Sequence, residues 1–489
     1  MKMKFLKKNT NKTVDLKIAV NFAYNTAYQI LTILIPLLTT PYLSRVLHAD
    51  GIGQYSYSYA IAYYFVLFSM LGVNNYGNRS IAKVRDKKEE LSRTFLCIYT
   101  IQLMSTILCS LAYIIYAVFF SNSQMAIIMI FYVVSAGLDI NWLFWGLEEF
   151  KLTVTRNVVI KLMTTTAIFL FVKNASDVYL YGAIMVAGIL VSQVILWPFA
   201  KKQVDFTEIK KIHISDIVIH IKPNLKLFIP TVAVSVYKIM DKIMLGAMTE
   251  EVQVGFYESA DKIITIPICI VTSLGTVMLP RMANLMTKKD NKDGVQNLIL
   301  KSIVFAVFLT APISFGIMSI AKEFVPLFYG IEFEPCIQLF YTLLPSCVFV
   351  AIANVIRTQY LIPAGFDKEY IWSCVIGAVV NLIINVSLIP KFASLGAAIG
   401  TLIAEFSVLL YQFWVTRKAI YYSKILPQIL FSLIAAALMA IIVCKVPIVS
   451  NSLVQTIAVK VLLGIILYLV LSVLFYFLRK KAQVISSEK

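Results

Sequence analysis

The sequence predicts an all-α, polytopic membrane protein of about fourteen transmembrane helices. Two six-helix lobes related by pseudo-two-fold symmetry are followed by two C-terminal helices. Three observations predict this: a composition that only lipid can solvate, a series of apolar stretches of membrane-spanning length, and a constant offset that superimposes parts of the two halves.

Of 489 residues, 59% are hydrophobic and 14% charged, far more apolar matter than one water-soluble core can bury. A hydrocarbon layer about 30 Å thick needs about 20 apolar residues in a helix. Fourteen such stretches occur, at 19–41, 53–73, 95–120, 125–146, 157–172, 178–199, 224–246, 255–280, 299–321, 335–356, 370–390, 394–416, 425–444 and 455–478. The first follows Lys2, Lys4, Lys7, Lys8, Lys12 and Lys17. It is longer than a signal-peptide core and lacks a small-residue cleavage site, so it is expected to remain as the first helix.

The net charge of +18 follows from this topology. With the N-terminus inside, 35 of the 44 Lys and Arg fall in cytoplasmic segments or at their edges. Five (Arg45, Lys173, Lys322, Lys391, Lys445) fall in outer loops and four (Lys238, Lys242, Lys262, Lys460) inside spans. The positive-inside rule therefore places both termini in the cytoplasm, and no nucleic-acid partner is needed to explain the charge. Seven scattered cysteines without a C-x-x-C pair read as apolar packing residues.

Adding 202 maps Gly53 onto Gly255, Tyr55 onto Tyr257 and Arg79 onto Arg281. A weaker offset of 214 takes Gly182 and Ala183 to Gly396 and Ala397. With six spans per half, both halves enter from the cytoplasm, which makes the repeat parallel and its axis normal to the membrane. The expected organisation is an N-terminal lobe at 1–200, an interfacial amphipathic linker at 201–223, a C-terminal lobe at 224–417, and spans thirteen and fourteen with a tail at 418–489. The linker carries Ile209, Ile212, Ile214, Ile217, Val218 and Ile221.

Ionisable groups inside a bilayer are costly, and those present mark candidate function. Span seven carries Lys238, Asp241 and Lys242, and span eight carries Glu258, Asp261 and Lys262, each trio on one helix face. In an antiparallel hairpin turning near residue 250, Lys242 reaches the level of Glu258 and Lys238 that of Asp261. Two readings stand, structural ion pairs near the outer end of the hairpin or a hydrated, charge-lined cavity between the halves. The second is favoured, because a structural hairpin could use Leu and Gly without desolvating charge. Asp139 in span four and Glu405 in span twelve are further buried candidates. Arg79, Arg281 and Arg357 lie at cytoplasmic ends, where anchoring alone accounts for them. Trp142 and Trp145 stand out by their nearness to Asp139, whereas Trp197 and Trp414 fit an interfacial belt.

There is no G-x-x-x-x-G-K-[ST], and His48, His213 and His220 form no H-E-x-x-H motif, so neither a nucleotide nor a metal cofactor is expected. No D-x-D and no large polar domain is present, which argues against an enzyme and for a transporter.

Pro41-Tyr42-Leu43-Ser44-Arg45-Val46-Leu47 followed by Gly51-Ile52-Gly53-Gln54-Tyr55 resembles the first hairpin of Wzx-type polysaccharide (O-antigen) flippases. The family belongs to the multidrug/oligosaccharidyl-lipid/polysaccharide exporter superfamily. Tyr76-Gly77-Asn78-Arg79, Trp142-Leu143-Phe144, Gly146-Leu147-Glu148, Gly255-Phe256-Tyr257 with Ala260, and Pro280-Arg281 extend the resemblance over nearly the whole chain. One departure is His48, where the family pattern has glycine. The resemblance implies a two-lobed alternating-access transporter in the bacterial cytoplasmic membrane that carries undecaprenyl-diphosphate-linked oligosaccharide. It further implies a polysaccharide polymerase and a chain-length regulator as partners. Lys238, Lys242 and Lys262, with Arg79, Arg281 and Arg357, would then face the diphosphate. Asp241, Glu258 and Asp261, with Asp139 and Glu405, would serve as ion pairs or carry a coupling proton or sodium ion.

A drug/cation antiporter of the same superfamily would need a cavity dominated by acid, whereas the hairpin cluster balances three acidic and three basic residues. A glycan polymerase or ligase would want a long outer loop, and none exists by these spans. A lipid II flippase is a close relative that these residues do not separate.

Overall fold

The computed structural model describes the backbone of residues 2–121, 123–286, 292–447 and 452–487. It describes the side chains of residues 34–121, 123–236, 239–275, 278–279, 281–286, 293–447, 452–475 and 477. The first helices are α1 (Lys2–Met70), α2 (Val73–Val84), α3 (Lys88–Phe119), α4 (Gln124–Ser135), α5 (Asn141–Gly146), α6 (Phe150–Phe171), α7 (Val178–Val194) and α8 (Trp197–Gln203). Then come α9 (Ile214–Met248), α10 (Glu251–Met286), α11 (Lys292–Phe328), α12 (Pro335–Leu343), α13 (Ser346–Ile356), α14 (Asp367–Thr416), α15 (Leu426–Lys445) and α16 (Leu453–Ser487). No strand occurs among the described residues.

Eleven segments are long and apolar enough to cross a bilayer. Two of them, Leu34–Val84 with 51 residues and Asp367–Thr416 with 50, are each interrupted by a non-helical residue and hold two crossings. Together with α10, 36 residues long, the crossings number about fourteen, as the hydropathy predicts. The two interruptions have left-handed backbone without glycine: His48 at φ 59°, ψ −178° and Ala393 at φ 47°, ψ −126°. A β-carbon is strained in that region, which gives a physical reason for the glycine of the family pattern at position 48.

The chain divides into two compact units, Met1–Val232 and Ala233–Lys489. The division falls inside α9. The stretch expected to be a separate linker helix is instead the end of α8, a 3-10 turn at Phe206–Lys211, and the first turns of α9, which run on into span seven. Ile214, Val218, Ile221 and Leu225 expose one apolar stripe of α9, the face an interfacial segment lays against lipid. Arg93 at 3.0 Å and Lys211 at 2.6 Å engage Glu208 in the 3-10 turn and hold its carboxyl below the usual range.

In the first unit, span four is broken. α4 ends at Ser135, a 3-10 turn covers Ala136–Leu138, and α5 restarts at Asn141. A break inside a bilayer frees carbonyls that lipid cannot satisfy, and side chains take them up. Gln102 Nε2 donates to Ala136 O and Asp139 O, both at 2.7 Å. Tyr99 OH donates to Gly137 O at 3.1 Å and Trp197 Nε1 to Leu138 O at 3.1 Å. Gln102 Oε1 also accepts from Trp142 Nε1 at 3.0 Å. Trp142 is fully buried and stacks on Phe95, so it belongs to the packed core. A β-carbon at Gly77 would lie 2.4 Å from its ring, which is why α2 passes it with a glycine.

Span five needs correction. The expected 16 residues at 157–172 would reach only about 24 Å at 1.5 Å per residue, too short to cross. α6 starts at Phe150 and has 22 residues, about 33 Å. Arg156 and Lys161, counted with the cytoplasmic edge, therefore lie inside the helix that forms span five.

In the second unit, α10, α11, α13, α15 and α16 share one apolar core. Lys460 of α16 pairs with Glu323 of α11 at 2.6 Å, the side chains 3% and 14% exposed. That pair fixes the appended last helix to the unit, since separating it would strand a charge in hydrocarbon.

Two stability outcomes follow. H48G should raise the thermal unfolding midpoint of the detergent-solubilised protein by relieving about 1 kcal/mol of backbone strain, and a lower midpoint would refute the strain. Q102L should cost about 3 kcal/mol, because two carbonyls and the Trp142 N–H lose their partner at once; thermal unfolding within 1 °C of wild type would contradict this.

Candidate functional site

Two hairpins of the second unit meet around one carboxylate. α9 and α10 turn near residue 250, and the two halves of α14 turn at Ala393, which puts Asn385 level with Thr401. Asp241, 1% exposed, accepts from Tyr257 OH at 2.7 Å, Thr401 Oγ1 at 2.7 Å and Asn385 Nδ2 at 2.6 Å. Asn381 Oδ1 accepts from Asn385 in turn at 3.2 Å. A β-carbon on Gly400 would lie 2.0 Å from Asn385 Oδ1, so glycine there is what lets the second half of α14 close onto the first.

The charged face of the hairpin forms a chain of ion pairs. Lys242 Nζ stands 2.6 Å from Glu258 and 3.4 Å from Asp261, and Lys262 is 3.6 Å from Glu258. The level-matching of Lys242 with Glu258 thus appears as a direct contact. The Lys238 side chain lies outside the described residues. Buried pairs of this kind hold because neither partner can be left alone in a medium that solvates charge poorly.

Asp241, Asp261, Arg357 and Glu405 line one cavity of about 290 Å³, together with Tyr257, Asn354, Thr401 and Gln412. Arg357 opens a π-helical turn, Arg357–Leu361, directly after α13, a widening of the helix often found at functional sites. Its guanidinium lies 5.6 Å from the ring of Tyr370, within cation–π reach. Gly275 lets α10 approach this turn, since a β-carbon there would meet Asn354 Oδ1 at 2.6 Å. The cavity wall thus carries three carboxylates and one arginine, with Lys242 bound to one of those carboxylates.

Other candidates lie elsewhere. Arg79 and Arg281 are exposed on α2 and near the end of α10. Asp139 belongs to the first unit, where Asn141 donates to it through both its backbone N (2.9 Å) and Nδ2 (2.6 Å). Trp145 lines a cavity of that unit. Asn381, Asn385, Tyr257 and Thr401 escape a search for charge because they are neutral. Tyr257 stood out only through the repeat and the family motif, and the i, i+4 asparagine pair in an otherwise apolar span was the one signal for Asn381 and Asn385.

Replacing Lys242 with Met should destabilise the protein by about 3 kcal/mol, leaving Glu258 and Asp261 without their shared cation. Adding E258Q should recover part of that loss in thermal unfolding. An additive double variant would mean that the pair is not coupled.

Comparison with known proteins bears on this arrangement. Residues 18–286 match the model of the family described as polysaccharide biosynthesis protein. A relative from Escherichia coli (strain K12), named "Putative O-antigen transporter", is 25% identical over 409 residues, covering 81% of this chain and 95% of the relative. One of the same name from Shigella dysenteriae is 22% identical, covering 78% and 95%. The solved structure of a lipid II flippase in an inward closed conformation superimposes with a TM-score of 0.72 at 15% identity, covering 94% of this chain and 99% of that one. With more than half of its length matched, the chain belongs to the polysaccharide biosynthesis protein family, and it is a Wzx-type member of the exporter superfamily that its motifs resemble.

Proposed function

We propose that this protein is a lipid-linked oligosaccharide flippase. It carries undecaprenyl-diphosphate-linked O-antigen or capsular repeat units from the inner to the outer leaflet of the bacterial cytoplasmic membrane by alternating access, with both termini in the cytoplasm. It performs no covalent chemistry and delivers units to a polysaccharide polymerase and its chain-length regulator. The observation that carries this reading is the relation of the chain, along four-fifths of its length, to a protein named an O-antigen transporter; the cavity wall by itself, three carboxylates to one arginine, has the acid excess of a cation antiporter, and Lys242 and Lys262 in the adjoining ion-pair chain are what offset it. A sugar head group and a diphosphate cannot enter hydrocarbon unaided, and a polar cavity replaces their hydration while the lipid tail stays in the bilayer.

Lys238, Lys242 and Lys262 are the cations we assign to the diphosphate, with Arg357 on the cavity wall. Lys242 is held by Glu258 and Asp261, so an incoming diphosphate competes with those carboxylates for it. A cation arriving at the carboxylates relaxes that hold, which couples ion uptake to substrate binding through differential contacts in two states. Asp241 is the coupling residue of choice. Its buried carboxylate is held by three hydrogen-bond donors, the hydroxyls of Tyr257 and Thr401 and Nδ2 of Asn385, and an arriving proton or hard cation such as sodium would take their place on its oxygens.

Deleting the gene in its host should strand lipid-linked repeat units on the cytoplasmic face and remove surface glycan. D241N should reproduce that defect at normal protein levels. Units reaching the outer face unpolymerised would support a polymerase instead, and rescue of a host lacking its lipid II flippase would move the substrate to lipid II.

A further inference from the structure

The first unit contains a second polar cavity inside the membrane, away from the charged hairpin. It has a volume of about 270 Å³ and lies where α5 follows the break in span four and where α6 and α7 run side by side. Asn141, Arg156, Asn157, Lys161, Ser192 and Gln193 supply its polar lining. In its wall the two helices touch closely, since a β-carbon on Gly188 would stand 2.3 Å from Thr164 Cγ2.

Arg156, 6% exposed, is fixed in place. It donates to Asn141 Oδ1 at 2.8 Å, to Ser192 O at 3.0 Å and to Asn157 Oδ1 at 2.6 Å. The one carboxylate of the cluster, Asp139, is reached through Asn141. Lys161 differs. It is half-buried, and among the described residues its ammonium has neither a hydrogen bond nor an ion pair. It is the twelfth of the 22 residues of α6, so it lies about 16 Å from either end of a helix long and apolar enough to cross a membrane. Two cations against one carboxylate leave a surplus positive charge among membrane-spanning helices, where charge is costly.

We propose that this cavity binds the phosphate group of a membrane lipid, with Lys161 as its principal ligand and Arg156 as a fixed charge behind it. A lysine is a mobile point donor suited to phosphate oxygens. A helix broken at mid-membrane, with polar groups gathered at the break, is the usual setting of a binding site in secondary transporters. A phosphate reaches this depth as part of a lipid in transit. Attributing it to the carried diphosphate rests on the flippase reading above, whereas the anion site itself rests on the residues of the pocket.

The test uses the full-length protein in detergent, titrated with inorganic pyrophosphate and with a short-chain polyprenyl diphosphate, and read by calorimetry and thermal unfolding. Wild type should bind both. For each ligand K161M should weaken one binding step at least tenfold, leaving the step at the cations of the second unit, while unfolding at the same or a higher temperature when free, because it removes an unpaired charge from a membrane-spanning helix. K161R should stay within about threefold of wild type. Unchanged binding in K161M, or a K161M that unfolds well below wild type, would overturn the site. Reconstitution into phosphatidylglycerol nanodiscs separates the sources: diphosphate binding that survives there supports the transported lipid, and its loss assigns the pocket to phospholipid head groups and overturns that attribution. If gene deletion strands no repeat units while Lys161-dependent binding persists, the flippase reading fails and the anion site stands.

Discussion

Hydrocarbon offers no hydrogen bonds, so each polar group that this chain places within the bilayer must find its partner in the chain itself. Helices satisfy their own backbone and need nothing more. The informative places are those where a helix stops short. At the break in span four, four successive carbonyls from Ala136 to Asp139 are met by Gln102, Tyr99 and Trp197, three side chains from two other helices. A break supported from two helices is fixed in position, and it sets Asp139 and Asn141 at the mouth of a polar pocket. The irregular backbone of this unit and its internal polarity thus have one cause.

The second unit meets the same constraint with charge. Its ion-pair chain from Lys262 through Glu258 and Lys242 to Asp261 neutralises groups that water would otherwise have to solvate. Pairing of that sort seldom adds stability beyond what apolar residues of equal size would give, so stability alone is a weak reason for it. What it supplies is a connected set of ionised groups inside the membrane-spanning hairpin, which a Leu-lined hairpin lacks. The span carrying Arg357 is irregular like span four, with a restart at Ser346 and a π turn at Arg357–Leu361. In both units, the fourth span of the half is the one that yields regular helix to expose polar groups.

Much of this was legible in the residues, and the limits have physical causes. Long apolar runs report crossings because length and hydropathy are local quantities, and the contact between Lys242 and Glu258 followed from counting along an antiparallel hairpin. Span five was drawn short because Arg156 looks like the end of an apolar run, although a helix must still cover the thickness of the membrane. Glu405 and Arg357 looked isolated, one as a lone acid and the other as an anchor, because the cavity that unites them depends on the fold of α14 at Ala393 and on the π turn after α13. The ring around Asp241 was invisible for a different reason. Asparagine, threonine and tyrosine carry no charge, and one at a time they are ordinary in a membrane helix; only convergence on a buried carboxylate gives them meaning.

His48 and Gly400 show how a conformational requirement can be written in either direction. Gly400 is required by space, because any side chain would strike Asn385. At His48 the backbone adopts a region natural to glycine while the residue is not glycine, so the chain tolerates strain at the turn between its first two crossings. Strain in a turn is retained when the packing on both sides over-determines it. Here Leu47 and Ala49 are buried on either side of an exposed His48, so the neighbours hold the turn while the imidazole stays outside the packing.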